Sequence, residues 1–540
     1  MHDCVIIGGG HNGLVCAFDL ARAGWDVLVL ERRSVVGGCA VTEELWPGYR
    51  VSTASYVVSL LLPEIEADMG LAKHGYKVLP RVPSSFTPLE DGRYLLLGPD
   101  EDECRREIAK FSERDAEAYP QYNRLLERVA ECLEPTLMQT PPDLLPLPNE
   151  WRSGAGLGKR LRDVRGGLSL YQSLKKLGSD LPEAIELLTG AARPILERWF
   201  ESDILRATLA TDAIIGTFQP ISAPGTAYVL LHHVMGAAGG ARGVWGYVEG
   251  GMGGLTQAMA ESCREAGVTI RTDAEVASIQ VVDDRASGVV LGDGEVVRAK
   301  RVASNVDCQL TFERFLEVGQ LPSPFAEAVR RIDYSSASMK VNLAVSELPD
   351  FTCLPGNSEP GPQHRGTIHI GCTTDYLERA YDDAKYGRPS SRPIVEMTIP
   401  TSVDRTLTPD GHHILSLFVQ YAPYQLADGL HWDEIKEDVA DRCIAEIARF
   451  APNVPGSILH RQVLSPLDLE RVYGLTGGNI FQGAMPLHQL FSMRPVAGWS
   501  DYRTPVSGLY LCGAAAHPGG GVMGACGRNA AIEMLRDGKP

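Results

Sequence analysis

The chain has 540 residues, which is enough for about three or four domain-sized units. Apolar residues make up 44% of it and charged residues 22%, the proportions of a soluble globular protein. The formal net charge of −17 argues against nucleic acid as a partner, because phosphates attract basic surfaces, and against simple electrostatic docking on anionic membranes.

The twelve cysteines show neither a CxxC pair nor metal-ligand spacing. This pattern predicts reduced, mostly buried thiols of an intracellular protein, with no metal site and no redox-active cysteine pair. The first strand starts at Cys4, and no apolar run reaches the roughly twenty residues of a spanning helix. We therefore expect a cytoplasmic protein without a targeting segment. A peripheral membrane contact stays open.

The first element is a glycine turn between two strands. An apolar run over 4–7 leads into this turn, then into a helical stretch and a second strand. In a dinucleotide-binding βαβ unit, Gly8 permits the tight turn, Gly10 leaves room for a pyrophosphate, and Gly13 lets the helix pack close to the strand. The free N–H groups at the start of the helix favour phosphate. The motif thus predicts contacts to a dinucleotide from Gly8, Gly10, His11, Asn12 and Gly13.

The second strand of this unit ends in an acid, Glu31. Its distance from the last glycine is typical of a carboxylate that accepts the hydroxyl groups of a ribose. Gly37 and Gly38 follow shortly afterwards, and they offer a second close approach of the backbone to the cofactor.

The middle of the chain alternates between helical and strand patterns. Apolar spacing predicts helix over 101–133 and 182–215, with a proline-rich connector over 141–148 between them. From 249 onward a helix, a strand and an Asp-Gly hairpin pattern predict a small β-meander inserted in a nucleotide-binding domain. Alternating strands over 340–345 and 413–420 precede a helix near 433–450.

The last forty residues repeat the glycine pattern. A strand enters the loop 513–524, and a helix to about Arg536 leaves it. The N-terminus of that helix could oppose negative charge on a reduced flavin. Because no second GxGxxG follows a strand, the combination favours FAD over NAD as the cofactor.

Taken together, these motifs resemble the phytoene desaturase-like FAD-dependent oxidoreductases. Within them the likeness narrows to the group called pyridine nucleotide-disulphide oxidoreductase domain-containing protein 2, with carotenoid ketolases as near relatives. Cys39 departs from the wider pattern, in which an arginine often follows the glycine pair, and this puts one phosphate contact in doubt. The resemblance covers nearly the whole length and depends on residues 10–15, 31–33, 37–38, 40–44, 228–236, 245–253, 475–481 and 517–529.

The resemblance implies an α/β fold with two parts. A discontinuous, Rossmann-like FAD-binding domain of the glutathione reductase and amine oxidase type would combine residues 1–90, 240–305 and 490–540. An α+β substrate domain would combine helices from 91–239 with a sheet from 306–489.

The resemblance also implies where the cofactor lies. Glu31 would hold the adenosine ribose, the backbone of Val276 would lie beside the adenine, and the loop 513–524 would surround the flavin. The expected cofactor contacts on these segments are Arg32, Val276, Gly513, Ala514, His517, Gly521, Val522 and Met523.

Candidate catalytic residues are few, because flavin chemistry belongs mostly to the cofactor. His517 lies in the C-terminal loop, either as a flavin contact or as a turn residue. His233, next to His232, either lines the substrate cavity or packs in the core. Lys340 resembles a lysine near the flavin in amine oxidases, although an edge-strand lysine fits the pattern equally well.

The leading functional hypothesis is an FAD-dependent oxidoreductase that acts on an apolar, polyene or lipid-like substrate by hydride abstraction or desaturation. Oxygen, a quinone or a protein would serve as the electron acceptor. A carotenoid ketolase or isomerase is the close alternative. A regulatory flavoprotein that has little turnover and acts through a protein partner is the more distant one. No oligomeric state is predicted.

Overall fold

The structure is a computed structural model that describes residues 1–148, 153, 157–238, 241–242, 244–371 and 373–540. Within these residues the strands are β1 (Cys4–Ile7), β2 (Val27–Leu30), β3 (Thr42–Trp46), β4 (Tyr49–Ser52), β5 (Val78–Pro80), β6 (Ser85–Pro88), β7 (Tyr94–Leu97), β8 (Ala237–Ala238), β9 (Ala241–Arg242), β10 (Gly246–Val248), β11 (Thr269–Arg271), β12 (Val276–Val282), β13 (Arg285–Leu291), β14 (Val296–Arg298), β15 (Val302–Ser304), β16 (Met339–Val345), β17 (Thr367–Ile370), β18 (Ile394–Thr398), β19 (His413–Gln420), β20 (Ile458–Leu464) and β21 (Leu509–Leu511).

The α-helices of the same residues are α1 (His11–Arg22), α2 (Pro63–Met69), α3 (Glu101–Ala109), α4 (Glu113–Leu137), α5 (Leu157–Lys175), α6 (Leu181–Thr189), α7 (Ala192–Trp199), α8 (Asp203–Ala210), α9 (Thr226–Val234), α10 (Met252–Glu265), α11 (Ser323–Arg330), α12 (Pro362–Arg365), α13 (Thr374–Lys385), α14 (Trp432–Ala448), α15 (Val454–Ser457), α16 (Pro466–Tyr473) and α17 (Ala525–Arg536). None of these helices combines the length and the apolarity that crossing a bilayer requires.

A five-stranded parallel sheet carries the N-terminal motif. Its strand order is β11-β2-β1-β15-β21, and all of the pairs are parallel. Every residue of β1, β2, β15 and β21 is buried, and this explains the continuous apolar runs. The predicted Rossmann-like unit is therefore present. The predicted β-meander follows β11 as the antiparallel sheet β12-β13-β14.

The two ends of the chain meet on this sheet. Helix α17 crosses α1 so closely that a Cβ atom at Gly527 would overlap the carbonyl oxygen of Asn12. Glycine is therefore required at this crossing. The contact places the C-terminal loop beside the N-terminal glycine turn.

A second, mixed sheet has the strand order β20-β16-β19-β18-β17-β6-β7. Strands β6 and β7 belong to it, since β6 pairs with β17. Residues 85–88, which the predicted first FAD segment (1–90) includes, therefore pair with strands of the second sheet. The predicted boundary between residues 239 and 240 lies outside the described residues. Strand β16 lies between β20 and β19, so Lys340 is inside the sheet and the edge-strand interpretation is wrong.

The two long predicted helices are interrupted. Ser112 caps α4 by accepting a hydrogen bond from the Asp115 N–H (3.1 Å), which separates α3 from α4. The stretch 182–215 contains α6, α7 and α8. The Asp115 carboxylate accepts hydrogen bonds from the N–H groups of Glu201 and Ser202 (2.9 and 2.8 Å) and so holds the break before α8. Periodicity alone does not show such side-chain caps.

Candidate active site

The N-terminal glycine turn has the geometry of a phosphate cradle. Gly8 has a φ of +96°, a conformation that favours glycine, and a Cβ atom at Gly13 would overlap the Gly8 carbonyl oxygen. At Gly10 an added Cβ would meet only one neighbouring atom, the side-chain nitrogen of Asn305 at 3.0 Å. The first and third glycines thus shape the turn, while the second leaves space above it.

A second glycine turn lies against the first. The N–H group of Gly37 donates to the Gly9 carbonyl (2.9 Å), and Gly37 has a φ of +123°. Glu31 holds both segments, because one carboxylate oxygen accepts from the Gly9 N–H (2.8 Å) and the other from the Arg33 N–H (2.9 Å). A carboxylate offers about four acceptor positions, so it retains capacity for ribose hydroxyls.

Replacing Glu31 tests this assignment. We expect Glu31→Ala to weaken FAD binding by about 1.5–3 kcal/mol, because it removes hydrogen bonds to a charged acceptor. The affinity is measured by fluorescence titration of the apoprotein with FAD. Glu44→Ala is the matched control, since Glu44 also accepts a backbone N–H group, that of Gly48 (2.8 Å), but does not line the cavity described below. An unchanged FAD affinity in Glu31→Ala would contradict the assignment.

Hydrogen bonds from two histidines, the partly buried His11 and the buried His232, join the C-terminal loop to the rest of the site. His11 Nε2 bonds to the Gly521 carbonyl and His232 Nε2 to the Gly520 carbonyl, each at 3.1 Å. Burial lowers the pKa of His11 to about 4 and that of His232 to about 3. Both rings are therefore neutral at physiological pH, and each donates a hydrogen bond to a loop carbonyl.

One cavity of about 760 Å³ begins at the glycine turns and extends to the seven-stranded sheet. Its volume is within the usual range for sites of small molecules and cofactors, about 300–1,000 Å³. The predicted residues that line it are Gly8, Gly10, His11, Asn12, Glu31, Arg32, Gly37, Gly38, Val276, Ala514, Gly521, Val522, His233 and Lys340.

Four predicted residues do not line this cavity. Gly13 and Gly513 lie behind it, where a Cβ atom at Gly513 would be 2.7 Å from the Asn305 carbonyl oxygen. Met523 packs in the hydrophobic core. His517 is buried, and its Nε2 bonds to the Thr136 carbonyl at the end of α4 (3.0 Å). This placement favours the turn-residue interpretation of His517, and its contact with the flavin stays a prediction.

Arg32 and Arg33 point in different directions. Arg32 donates to the Val472 carbonyl at the end of α16 (2.6 Å), so it links α16 to the nucleotide-binding unit. Arg33 pairs with Glu43 (2.6 Å), while its buried Nη1 has no hydrogen-bond partner among the described residues. The Arg33 charge opposes the rise that burial causes in the pKa of the Cys39 thiol. Arg33 therefore places a positive charge near Cys39.

The sequence analysis missed three residues, of which Asn305 and Arg494 are buried and Gln482 is partly buried. Asn305 donates to the Gly8 carbonyl (3.1 Å), and Gln482 accepts from the Ala515 N–H (3.2 Å). Arg494 donates to the Ala514 carbonyl through Nε (3.0 Å). Asn305 directly follows a strand of the parallel sheet, and ligands bind at the carboxyl ends of such strands, so this rule could have found it. No local signal identifies the other two.

These observations show that the residues present fit FAD. The open space above Gly10, the remaining acceptor capacity of Glu31 and the unpartnered Nη1 of Arg33 correspond to phosphate, ribose and negative charge. Together with Asn305 and Gly38 they would hold the dinucleotide. The flavin would lie toward the C-terminal loop by the family pattern.

The far side of the cavity carries a row of four side chains, three of which are polar. Lys340 pairs with Phe418, Phe418 with Glu396, and Glu396 with His369 across four adjacent strands. Directly paired residues point to the same face of a sheet, and all four line the cavity. His369 Nδ1 lies 3.8 Å from the Glu396 carboxylate. Sequence patterns did not indicate this row, except for Lys340.

Lys340 is buried without a carboxylate partner among the described residues. Its ammonium group donates to the Asn342 side-chain oxygen (3.0 Å) and to the Ser416 hydroxyl. It also lies 4.7 Å from the centre of the Tyr56 ring. Burial lowers the pKa of Lys340 to about 7, so it exchanges its proton near neutral pH.

Two carboxyl groups and one permanent cation complete the polar end of the cavity. Burial raises the pKa of Asp212 to about 7, against the effect of Arg81. Burial and the nearby Asp212 raise the pKa of Glu396 to about 8. Arg81 is itself held by the Trp245 carbonyl and the Thr367 hydroxyl, both at 2.9 Å. The cavity therefore holds two carboxyl groups that are only partly compensated by positive charge.

The Glu396 carboxyl group should make stability depend on pH. Its folded-state pKa, about 8, exceeds its ordinary value of 4.5. The unfolded chain therefore loses this proton first as the pH rises. We expect the free energy of unfolding of the wild type to fall, relative to Glu396→Gln, between about pH 5 and pH 8, by at most about 1.4 kcal/mol per pH unit.

Urea denaturation at several pH values measures this difference. The exposed Glu317→Gln is the control and should keep the wild-type pH dependence. If Glu396→Gln shows the same pH dependence as the wild type, the Glu396 carboxyl group does not titrate in this range.

The fold and the site together define a class of protein. A parallel sheet with a glycine cradle, an acid at the end of its second strand and a returning C-terminal loop is the architecture of FAD-dependent oxidoreductases with a Rossmann-like cofactor domain. The chain belongs to the flavin containing amine oxidoreductase family, whose model matches residues 13–535. It is an FAD-dependent oxidoreductase.

The similar proteins agree with this assignment. The chain is 47% identical to the Rattus norvegicus pyridine nucleotide-disulfide oxidoreductase domain-containing protein 2, over 99% of this chain and 94% of that protein. It is 26% identical to the lycopene-forming phytoene desaturase of Pseudescherichia vulneris, over 99% and 100%. The solved structure of a putrescine oxidase triple mutant shares the fold with a TM-score of 0.60 and 16% identity, over 99% and 98%. The predicted family resemblance is confirmed.

Proposed function

We propose that the protein removes a hydride from an apolar small molecule in the cavity beside the glycine turns. The observation that carries this proposal is the continuity of the cavity, which connects the turns with a chamber that apolar side chains line. When bound, FAD supplies the acceptor for the hydride. The apolar lining residues include Leu60, Leu209, Leu230, Val234, Met339 and Phe418.

A desaturation removes a proton as well as a hydride, so the chain must provide a proton acceptor. The Asp212 and Glu396 carboxyl groups lie in the same cavity, with pKa values of about 7 and 8. Such values suit general bases near neutral pH. We assign the uptake of the proton to this pair. Oxygen, a quinone or a protein would then take the electrons onward.

Anaerobic mixing of the purified flavoprotein with candidate substrates tests the proposal. An apolar polyene or lipid-like substrate should bleach the visible bands of the flavin, and the product should have lost two hydrogens by mass. Added oxygen in the product would indicate a ketolase, and an unchanged mass an isomerase. If no polyene bleaches the flavin, the proposed substrate class is wrong.

Oxidation of an amine is the second candidate. The similar fold of a putrescine oxidase and the family description point to amines, and the two partly compensated carboxyl groups favour a cationic ligand. Aromatic rings of Tyr56, Trp245 and Phe418 line the same cavity and suit a cation. Bleaching by amines but not by polyenes would select this candidate.

A regulatory flavoprotein that acts through a protein partner is the remaining alternative. Tight FAD binding without turnover on any substrate, together with a stable partner, would support it.

The eleven cysteines that the structure describes are free thiols. This observation supports the proposed cytoplasmic location, because structural disulfides are rare there.

A further inference from the structure

Helix α5 exposes a stripe of apolar side chains. Leu161, Val164, Leu168 and Tyr171 are 53%, 53%, 56% and 64% exposed. Their spacing of three or four residues places all of them on one side of the helix. Because exposed apolar side chains of a soluble protein are usually scattered, four in one line mark an interaction surface.

The stripe is not the face that packs on the protein. Leu174 packs against the core of the helical region, and the Ser173 carbonyl accepts from the Cys132 thiol of α4 (3.4 Å). Asp163 points the same way and accepts from the Asp143 N–H (3.2 Å). The stripe therefore lies on the opposite face. Leu144, which is 58% exposed, lies beside Gly167 and extends the apolar area.

Basic side chains border the stripe on both sides. The exposed ones are Arg160, Arg162, Arg165, Lys175 and Lys176. The one acid among residues 157–176 is Asp163, which faces inward. The segment 157–176 taken by itself carries a net positive charge, in a chain whose formal net charge is −17. An apolar stripe between basic borders is the pattern of a helix that lies in the interface of an anionic membrane.

Helix α5 packs on α4, and α4 contributes to an opening of the cavity. The cavity lining includes Glu127 of α4, an exposed residue, so the cavity reaches the surface there. The next residue, Arg128, pairs with Asp180 just beyond the end of α5 (2.7 Å). This pair connects α4, beside the opening, to the segment that follows α5.

We propose that α5 and Leu144 dock the protein on an anionic lipid bilayer. The apolar stripe would insert below the headgroups, and the basic borders would bind lipid phosphates and carboxylates. A second copy of the chain fits less well, since two such helices would bring like charges together. Nucleic acid also fits less well, because the most exposed part of the surface is apolar.

Vesicle binding of the FAD-loaded full-length protein tests the proposal. We expect cosedimentation with vesicles that contain phosphatidylcholine and phosphatidylserine, and much weaker binding to phosphatidylcholine alone. Added salt should release the protein. The double variant L161S/L168S should lose binding, and R162Q and R165Q should each weaken it about fivefold.

Val318→Ser is the matched control, because Val318 is a fully exposed apolar residue outside the stripe. It should bind vesicles like the wild type. Every variant is first compared with the wild type in flavin content and thermal unfolding, so that a misfolded variant is recognised. Equal binding to both kinds of vesicle, or no binding, would overturn the proposal. A dimer by light scattering that L161S/L168S dissociates, without vesicle binding, would assign the stripe to a second copy and overturn it too.

Discussion

Gly10→Val should abolish the retention of FAD while leaving the chain folded. The backbone at Gly10 has φ −72° and ψ 168°, a conformation that any residue adopts. An added Cβ meets only the side-chain nitrogen of Asn305, at 3.0 Å, so a small shift of that amide accommodates it. The valine methyl groups would instead occupy the space that the pyrophosphate needs. The measurement is the flavin absorbance of the purified protein, with circular dichroism to show that the fold is intact.

Two variants make this experiment specific. Gly10→Ala should lose less FAD than Gly10→Val, because it adds a single methyl group. Gly456→Val should keep the cofactor, since a Cβ atom there meets nothing within 4 Å. A folded Gly10→Val protein that purifies yellow would show that the pyrophosphate does not lie above this turn.

Arg494→Ala should destabilise the protein and release the flavin. The buried Arg494 guanidinium makes six hydrogen bonds to backbone carbonyls, at 2.7 to 3.3 Å, and holds the C-terminal loop against its neighbours. The carbonyls that it satisfies are those of Phe481, Gly483, Ala484, Gln489 and Ala514. Each acceptor left unsatisfied costs about 1–3 kcal/mol, so we expect a loss of at least about 3 kcal/mol in the free energy of unfolding.

Chemical denaturation and flavin release measured together test this expectation. Arg331→Ala is the control, because the Arg331 side chain is 80% exposed and should contribute little. Arg494→Lys should restore only part of the stability, since an ammonium group lacks the planar fork of donors. If the Arg494→Ala protein has the same denaturation midpoint as the wild type, water replaces the guanidinium group without loss in the free energy of unfolding.

The charged groups that line the cavity narrow the range of substrates that it could bind. A chamber for a simple hydrocarbon would need no charged groups, because burying them is costly. Here Lys340, Asp212, Glu396 and Arg81 all line the cavity. Either they act on protons during the reaction or they bind a polar part of the substrate. The comparison of polyenes with amines separates these roles.

The proposed docking surface on α5 restricts the conclusion that the net charge of the chain allows about membrane binding. The net charge of −17 argued against electrostatic docking on anionic membranes. Fields near a surface fall off within a Debye length of about 10 Å, so local charge matters more than the total. The basic borders of α5 are such a local feature.

Local chemistry made the nucleotide-binding unit predictable. Gly8, Gly13 and Glu31 act within a short segment, where dihedral angles, close packing and strand endings follow directly from residue type. The C-terminal loop was predictable for the same reason. Sequence patterns were therefore enough to predict the class of cofactor and the Rossmann-like architecture.

Only the tertiary structure decided which side chains share the cavity. Lys340, Glu396 and His369 meet through the pairing of strands that lie far apart in the chain, and Asp212 joins them from a helical region. His517 resembles a flavin contact in the sequence, yet it bonds to Thr136 in α4. Contacts of this kind depend on long-range packing, which no local pattern encodes.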